Sequence, residues 1–262
     1  MATSAVYPVK APSPWLALTE LPRALVELGS LPFAAGVLNE APRGDGHPVL
    51  VIPGFATGDK STVILRNYLK KMGYEPHAWE LGRNFGPKAI GPEGEKLIGR
   101  LDSIRAASSR KVSLIGWSLG GIMARLVANR APEAVRQVIT LGAPFAGSPK
   151  ATNVWWAYEW FTGQKIDDSH TQGQLAEASA PSPVPSTAIF SRNDGVVAWQ
   201  NCVQAGGARS DAIEVHGSHC GLGVNPAVLY AVADRLAQAE GRWRPFEPRD
   251  RAGFTYPATA LA

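Results

Sequence analysis

The segment Gly116-Trp117-Ser118-Leu119-Gly120-Gly121 sets a serine between glycines two positions away on either side. It follows the apolar run Lys111 to Ile115 and leads into a helical pattern from Ile122 to Asn129. A sharp strand-to-helix turn of this kind forces the serine into a strained backbone and exposes its hydroxyl; flanking side chains would strike the neighbouring strand and helix. A serine hydroxyl is a weak nucleophile until a base takes its proton, so a histidine and an acid are required. Downstream of Ser118 stand His170, His216 and His219. His219, in the loop Gly217-Ser218-His219-Cys220-Gly221 beyond the strand-like run Ala212 to Val215, is the expected base. His216 continues that strand, and His170 precedes the expected acid. That acid is Asp194 in Ser191-Arg192-Asn193-Asp194-Gly195-Val196-Val197, which would orient the imidazole and stabilise its charged form without being protonated itself. Asp211 reads as a turn residue, and Asp167 and Asp168 as solvent-facing. Two backbone N–H groups must meet the developing oxyanion: Leu119, next to the nucleophile, and Phe55 in Pro53-Gly54-Phe55-Ala56.

The elements that would position these groups are apolar runs alternating with helical patterns. His47 to Ile52, Glu75 to Leu81, Lys111 to Ile115, Val135 to Leu141, Ser186 to Ser191 and Ala212 to Val215 read as strands. Helices are expected after Asp59, with Val63, Tyr68, Leu69 and Met72 on one face up to Gly73, from about Pro92 to Ala107, and from Pro226 to Ala239. This order predicts an α/β fold with a mainly parallel sheet covered on both faces. Residues 1–46 form an extension expected to pack as a short, proline-broken helix on the core, with shallow membrane contact as the alternative. Residues 150 to 185 break the alternation with Trp155, Trp156, Tyr158, Trp160 and Phe161, and read as a small aromatic cap. Trp117, Trp155 and Trp156 are the expected substrate contacts. Cys202 and Cys220 would lie on loops at one rim of the sheet, close enough for a possible disulfide.

The 262 residues, 45% hydrophobic, suffice for one domain with a full core. A net charge of +4 with scattered lysines and arginines gives little support to a phosphate-tracking surface, so nucleic acid is not an expected partner. The N-terminus lacks a basic segment followed by an apolar one, and no run reads as about 20 apolar residues; a cytoplasmic location is expected.

Taken together, Pro-Gly-Phe after the first strand, Gly-Trp-Ser-Leu-Gly-Gly, Gly-Ala-Pro-Phe-Ala-Gly-Ser, Ser-Arg-Asn-Asp-Gly-Val-Val and Gly-Ser-His resemble bacterial lipases and esterases of the α/β-hydrolase superfamily, over roughly residues 47 to 240. The resemblance implies hydrolysis of apolar carboxylic esters (lipids, medium-chain esters or aliphatic polyesters) through an acyl-enzyme, with no cofactor and no metal. Two features depart from it: no signal peptide is evident, and the oxyanion loop reads Pro-Gly-Phe where His-Gly is frequent. An acyltransferase with the same triad, an amidase and a non-catalytic binding protein are the alternatives.

Overall fold

A computed structural model describes residues 9–147, 151–153, 159, 165, 167–203, 207–247 and 253–257. Among the described residues six strands form one sheet: β1 Pro48–Ile52, β2 Glu75–Ala78, β3 Val112–Trp117, β4 Val135–Leu141, β5 Ser186–Phe190 and β6 Ser210–Glu214. Every neighbouring pair is parallel, in the order β2-β1-β3-β4-β5-β6. The helices among the described residues are α1 Pro14–Leu18, α2 Glu20–Asn39, α3 Val63–Lys71, α4 Pro87–Ile90, α5 Glu95–Ser108, α6 Leu119–Arg130, α7 Ser169–Ser179 and α8 Pro226–Leu236.

Strand side chains alternate between two cores, as period-2 geometry requires. Val49, Val51, Ile115 and Ile139 join residues of α3 and α8 on one face. Leu50, Ile52, Leu114 and Val138 join residues of α5 and α6 on the other. Burial on both faces explains why β1 and most of β3 read as apolar runs rather than alternating ones. Chain order reverses between β1 and β3: β1 leads through α3 to β2 on one side, β3 through α6 to β4 on the other. A ligand crevice belongs at the carboxyl ends of strands at such a switch point. The loops that leave there begin at Pro53 and Ser118.

Several boundaries differ from the sequence reading. The β2 strand stops at Ala78 because the next two amides, of Trp79 and Glu80, turn to the Asp59 carboxylate. Asp59 thus ties two segments together instead of capping α3. Val63 is exposed, and Leu65 takes its place beside Tyr68, Leu69 and Met72 in the core. Pro92 lies in a turn, and α5 begins at Glu95.

The largest departure is at the N-terminus. The α2 helix is not short; it runs through Pro32, which costs one backbone hydrogen bond and about 3 kcal/mol in a helix interior. Its C-terminal half packs Leu31, Ala34, Val37 and Leu38 on the core. Much of the apolar surface of α1 and α2 instead faces outward, with Trp15 77% and Phe33 91% exposed. By length and composition α2 could cross a membrane, although the sequence was read as holding no such stretch, and 6% of its most apolar window is buried.

Candidate active site

Ser118 stands alone between the end of β3 and the start of α6, at φ 53° and ψ −121°. A positive φ costs a non-glycine residue about 1–3 kcal/mol and persists only where its surroundings enforce it. Here the Ser118 N–H donates to the Leu141 carbonyl at 2.8 Å. A Cβ on Gly116 would strike the backbone of Gly120 and Gly121, and one on Gly120 the carbonyls of Ile52 and Pro53. The glycines therefore let α6 double back against β1 and β3 with no gap. Leu119 is the first residue of α6, where an N–H has no acceptor within its own helix and the helix dipole is positive.

The loop after β1 runs beside Ser118: a Cβ on Gly54 would lie 3.5 Å from Ser118 Cβ. Phe55, the next residue, packs edge-on against Phe85 at 6.1 Å between ring centres. Buried Asn84 fixes this loop. Its side-chain amide donates to the Pro53 carbonyl at 2.7 Å, and its own carbonyl accepts from Ala56 N–H at 2.8 Å. Sequence reasoning did not single out Asn84, which sits in an irregular loop with no motif around it.

Asp194 and His219 are both buried and meet at 2.6 Å, Oδ2 to Nδ1. The other Asp194 oxygen accepts from Val196 and Val197 N–H at 2.8 and 2.7 Å, which fixes the carboxylate's direction. Burial alone would push the imidazole's pKa down; the charge and hydrogen bond of Asp194, with the charge of Glu20 added, outweigh it and hold His219 above its ordinary value. The histidine loop is pinned to the acid loop by Ser191 Oγ, which donates to the Gly217 carbonyl at 2.7 Å and accepts from Gly217 N–H at 3.2 Å. Trp117 braces it from the elbow side: the indole N–H donates to the His219 carbonyl at 3.1 Å, and the ring lies against Gly223. The expected substrate contact is thus engaged in holding the His219 loop.

A third support comes from α2. Glu20, Arg23 and Glu27 recur at helical spacing and turn inward. Glu20 accepts from Gly195 and Cys220 N–H, and Arg23 donates to the Asn193 carbonyl at 2.7 Å. Glu27 accepts from Ser218 N–H at 2.7 Å and from the Asn225 side-chain amide at 2.9 Å. The signal was present in the sequence, three charges on one face of an otherwise apolar helix, but nothing local says what they meet.

The remaining candidates fall elsewhere. His216 is exposed and lies two residues beyond β6, not on it. His170 is exposed on α7 beside the Pro92 carbonyl. Asp211 accepts from Phe246 N–H and faces Arg235, and Asp167 and Asp168 are exposed. Trp155 and Trp156 lie outside the described residues. The possible disulfide is a correction: Cys202 and Cys220 are free thiols. Cys202 is buried in an apolar cluster with Phe190 and Val197. Cys220 partners Glu20 instead; burial first, then that carboxylate's charge and hydrogen bond, push its thiol up to about 12.

A profile of the PGAP1-like alpha/beta domain matches residues 95–173. Triacylglycerol lipases of Pseudarthrobacter phenanthrenivorans and Burkholderia plantarii are each 31% identical over 109 residues, or 39% of this chain. The matches take in 34% and 30% of those proteins, so the chain spans about a third of the length of the curated relatives it matches. Aspergillus fumigatus lipase B superposes with a TM-score of 0.58 at 17% identity, over 75% of this chain and 54% of that one. A monoacylglycerol lipase of Paleococcus ferrophilus gives 0.54 at 15%, over 74% and 96%. A Bacillus licheniformis lipase gives 0.53 at 17%, over 76% and 95%. The parallel sheet, the elbow at its switch point and these superpositions agree: the chain has the α/β-hydrolase fold, and part of it is similar in sequence to bacterial triacylglycerol lipases.

Proposed function

We propose that the chain hydrolyses carboxylic esters of apolar acyl groups, with Ser118 as nucleophile, His219 as general base and Asp194 holding the imidazole. The observation that carries this reading is the buried Asp194–His219 pair on the loops around a serine held at φ 53°. Ser118 Oγ attacks the ester carbonyl while His219 Nε2 takes its proton. The amides of Leu119 and Phe55 receive the oxyanion, each such donor supporting about 10²–10³ in rate. Collapse breaks the bond to the alcohol, which leaves with the proton from His219. Water, activated by the same imidazole, then releases the acid from the acyl-serine. The Phe55–Phe85 pair beside the oxyanion loop and the lipase relatives support an apolar acyl group.

The outward apolar face of α1 and α2, with Trp15, Leu18, Leu21, Leu25 and Phe33 exposed, supports contact with a lipid–water interface. The backbone of α1 lies against Gly195 in the acid loop, so this face adjoins the catalytic loops.

The test is a panel of p-nitrophenyl esters of rising chain length, with and without a fluorophosphonate and with added alcohol. Turnover should rise beyond acetyl, hydrolysis should exceed transfer, and the probe should label Ser118. A label on another residue sinks the triad; a preference for acetyl sinks the apolar acyl group.

A further inference from the structure

We propose that Glu20 is a positioning residue for the Asp194–His219 pair, tying the acid loop to the base loop from outside the sheet and adding negative charge beside the imidazole. The proposal rests on the triad reading above. Glu20 is 4% exposed, and its two oxygens serve two different loops. Oε1 accepts from Gly195 N–H at 2.7 Å and Oε2 from Cys220 N–H at 2.8 Å. Gly195 directly follows Asp194 and Cys220 directly follows His219, so one carboxylate holds the residue after the acid and the residue after the base. A buried carboxylate needs such partners.

Arg23 completes the clamp, bonding Glu20 at 2.8 Å and the Asn193 carbonyl at 2.7 Å. The acid loop leaves room for this: a Cβ at Gly195 would strike the backbone of Leu16 and Ala17 in α1. The charges that act on His219 directly are Asp194 from the acid loop and Glu20 from α2. Of the other polar groups nearby, Arg23 pairs with Glu20, the protonated Cys220 thiol follows His219 in its own loop, and Glu27 holds the Ser218 N–H without adding to the charge felt by the imidazole. When the Ser118 proton moves to His219, the imidazolium gains from Glu20 in the same direction as from Asp194. Coulomb attraction at a buried site is strong enough to register.

The experiment compares pH profiles of kcat/KM on a p-nitrophenyl ester for the full chain and for Glu20→Gln, Arg23→Gln and Glu27→Gln, with Tm for each. Ser118→Ala and fluorophosphonate labelling serve as controls. Gln keeps the shape but loses the charge and one of two acceptors. Glu20→Gln should move the acid limb down by about half a pH unit or more and cut kcat about tenfold. Arg23→Gln, which unmasks the Glu20 charge, should move the limb up. Glu27→Gln should lower Tm and leave the limb in place. A folded Glu20→Gln that loses Tm but keeps the wild-type limb overturns the proposal. If that variant does not fold, an unmoved limb in Arg23→Gln overturns it, and an upward one supports it. An active Ser118→Ala overturns the triad reading together with the proposal; an inactive one with unmoved limbs overturns Glu20 alone.

Discussion

Two serine–histidine–aspartate sets occupy opposite ends of the same sheet. At the amino ends, Asp45 Oδ1 meets His47 Nδ1 at 2.5 Å, and His47 Nε2 meets Ser113 Oγ at 2.8 Å. At the carboxyl ends stand Asp194, His219 and Ser118, with Ser118 about 17 Å further along β3 by strand rise. As a chain of hydrogen bonds the first set is complete. Yet His47 and Ser113 are 0% exposed, Ser113 lies within the central strand β3, and the Asp45 carboxylate is shared with Arg110 and Arg136 at 2.8 Å each. Burial pushes the His47 imidazole down to about 4, the charge of Arg136 acting the same way against the pull of Asp45. His219 is held up instead, by a carboxylate whose other partners are backbone amides. Under the proposed triad, reactivity follows strained exposure of the serine, nearby amide donors and a base that gains from protonation. The pattern of three residue types is not enough.

The sharpest way to break this contrast is to delete each serine. Asp194→Asn should lower kcat for ester hydrolysis by about 10⁴-fold, and Ser118→Ala and His219→Ala by about 10⁶-fold. A folded Ser113→Ala should retain activity within about threefold, since such losses need a transition-state contact. If the two serine variants lose equal activity while both fold, the division of roles between the two ends is wrong.

The two imidazoles should also pull stability in opposite directions with pH. His47 has a folded-state pKa of about 4 against 6.5 when unfolded, so the unfolded chain binds the proton first. Stability then falls as pH drops from 6.5 to 4, by up to about 3 kcal/mol. His219 is raised, so its contribution is fully present below 6.5 and is lost as pH rises through its folded value. Urea unfolding of wild type and His47→Gln at pH 7 and 4.5 should show the variant losing most of the acid-side decline. An unchanged decline would mean that His47 is not the neutral buried group described.

Smaller again is the structural cost at the amino end. Ser113→Ala leaves His47 Nε2 without its partner, and a buried group so orphaned costs about 1–3 kcal/mol. Urea midpoints measure it; a cost below about 0.5 kcal/mol, the lower edge for a hydrogen bond, would mean the contact is incidental.

Much of this was legible from local pattern. The β1 strand was a continuous apolar run because both its faces are buried, and the elbow was legible because packing leaves only glycine at 116 and 120. Asp194 and His219 followed from chain order and from loops placed after strands. What escaped was non-local. Glu20 meets amides 175 and 200 residues away, and no periodicity within α2 encodes that. Pro32 was read as a breaker, whereas the packing of Leu31, Ala34, Val37 and Leu38 carries the helix past it. His47 was read as the first residue of a strand, and Ser113, 66 positions away, gave no hint of their contact.

The backbone at Ser118 carries one more consequence, for the trade between durability and turnover. At φ 53° the strain belongs to the main chain, not to the hydroxyl. Ser118→Ala keeps it, while Ser118→Gly releases about 1–3 kcal/mol against a glycine entropy cost of about 0.5–1 kcal/mol. Both variants lack the proposed nucleophile, but glycine should melt higher than alanine by roughly 2–4 °C for each net kcal/mol recovered. In a lineage freed from selection for activity, glycine at 118 would be the favoured replacement, and the chain would gain heat tolerance as it lost its chemistry.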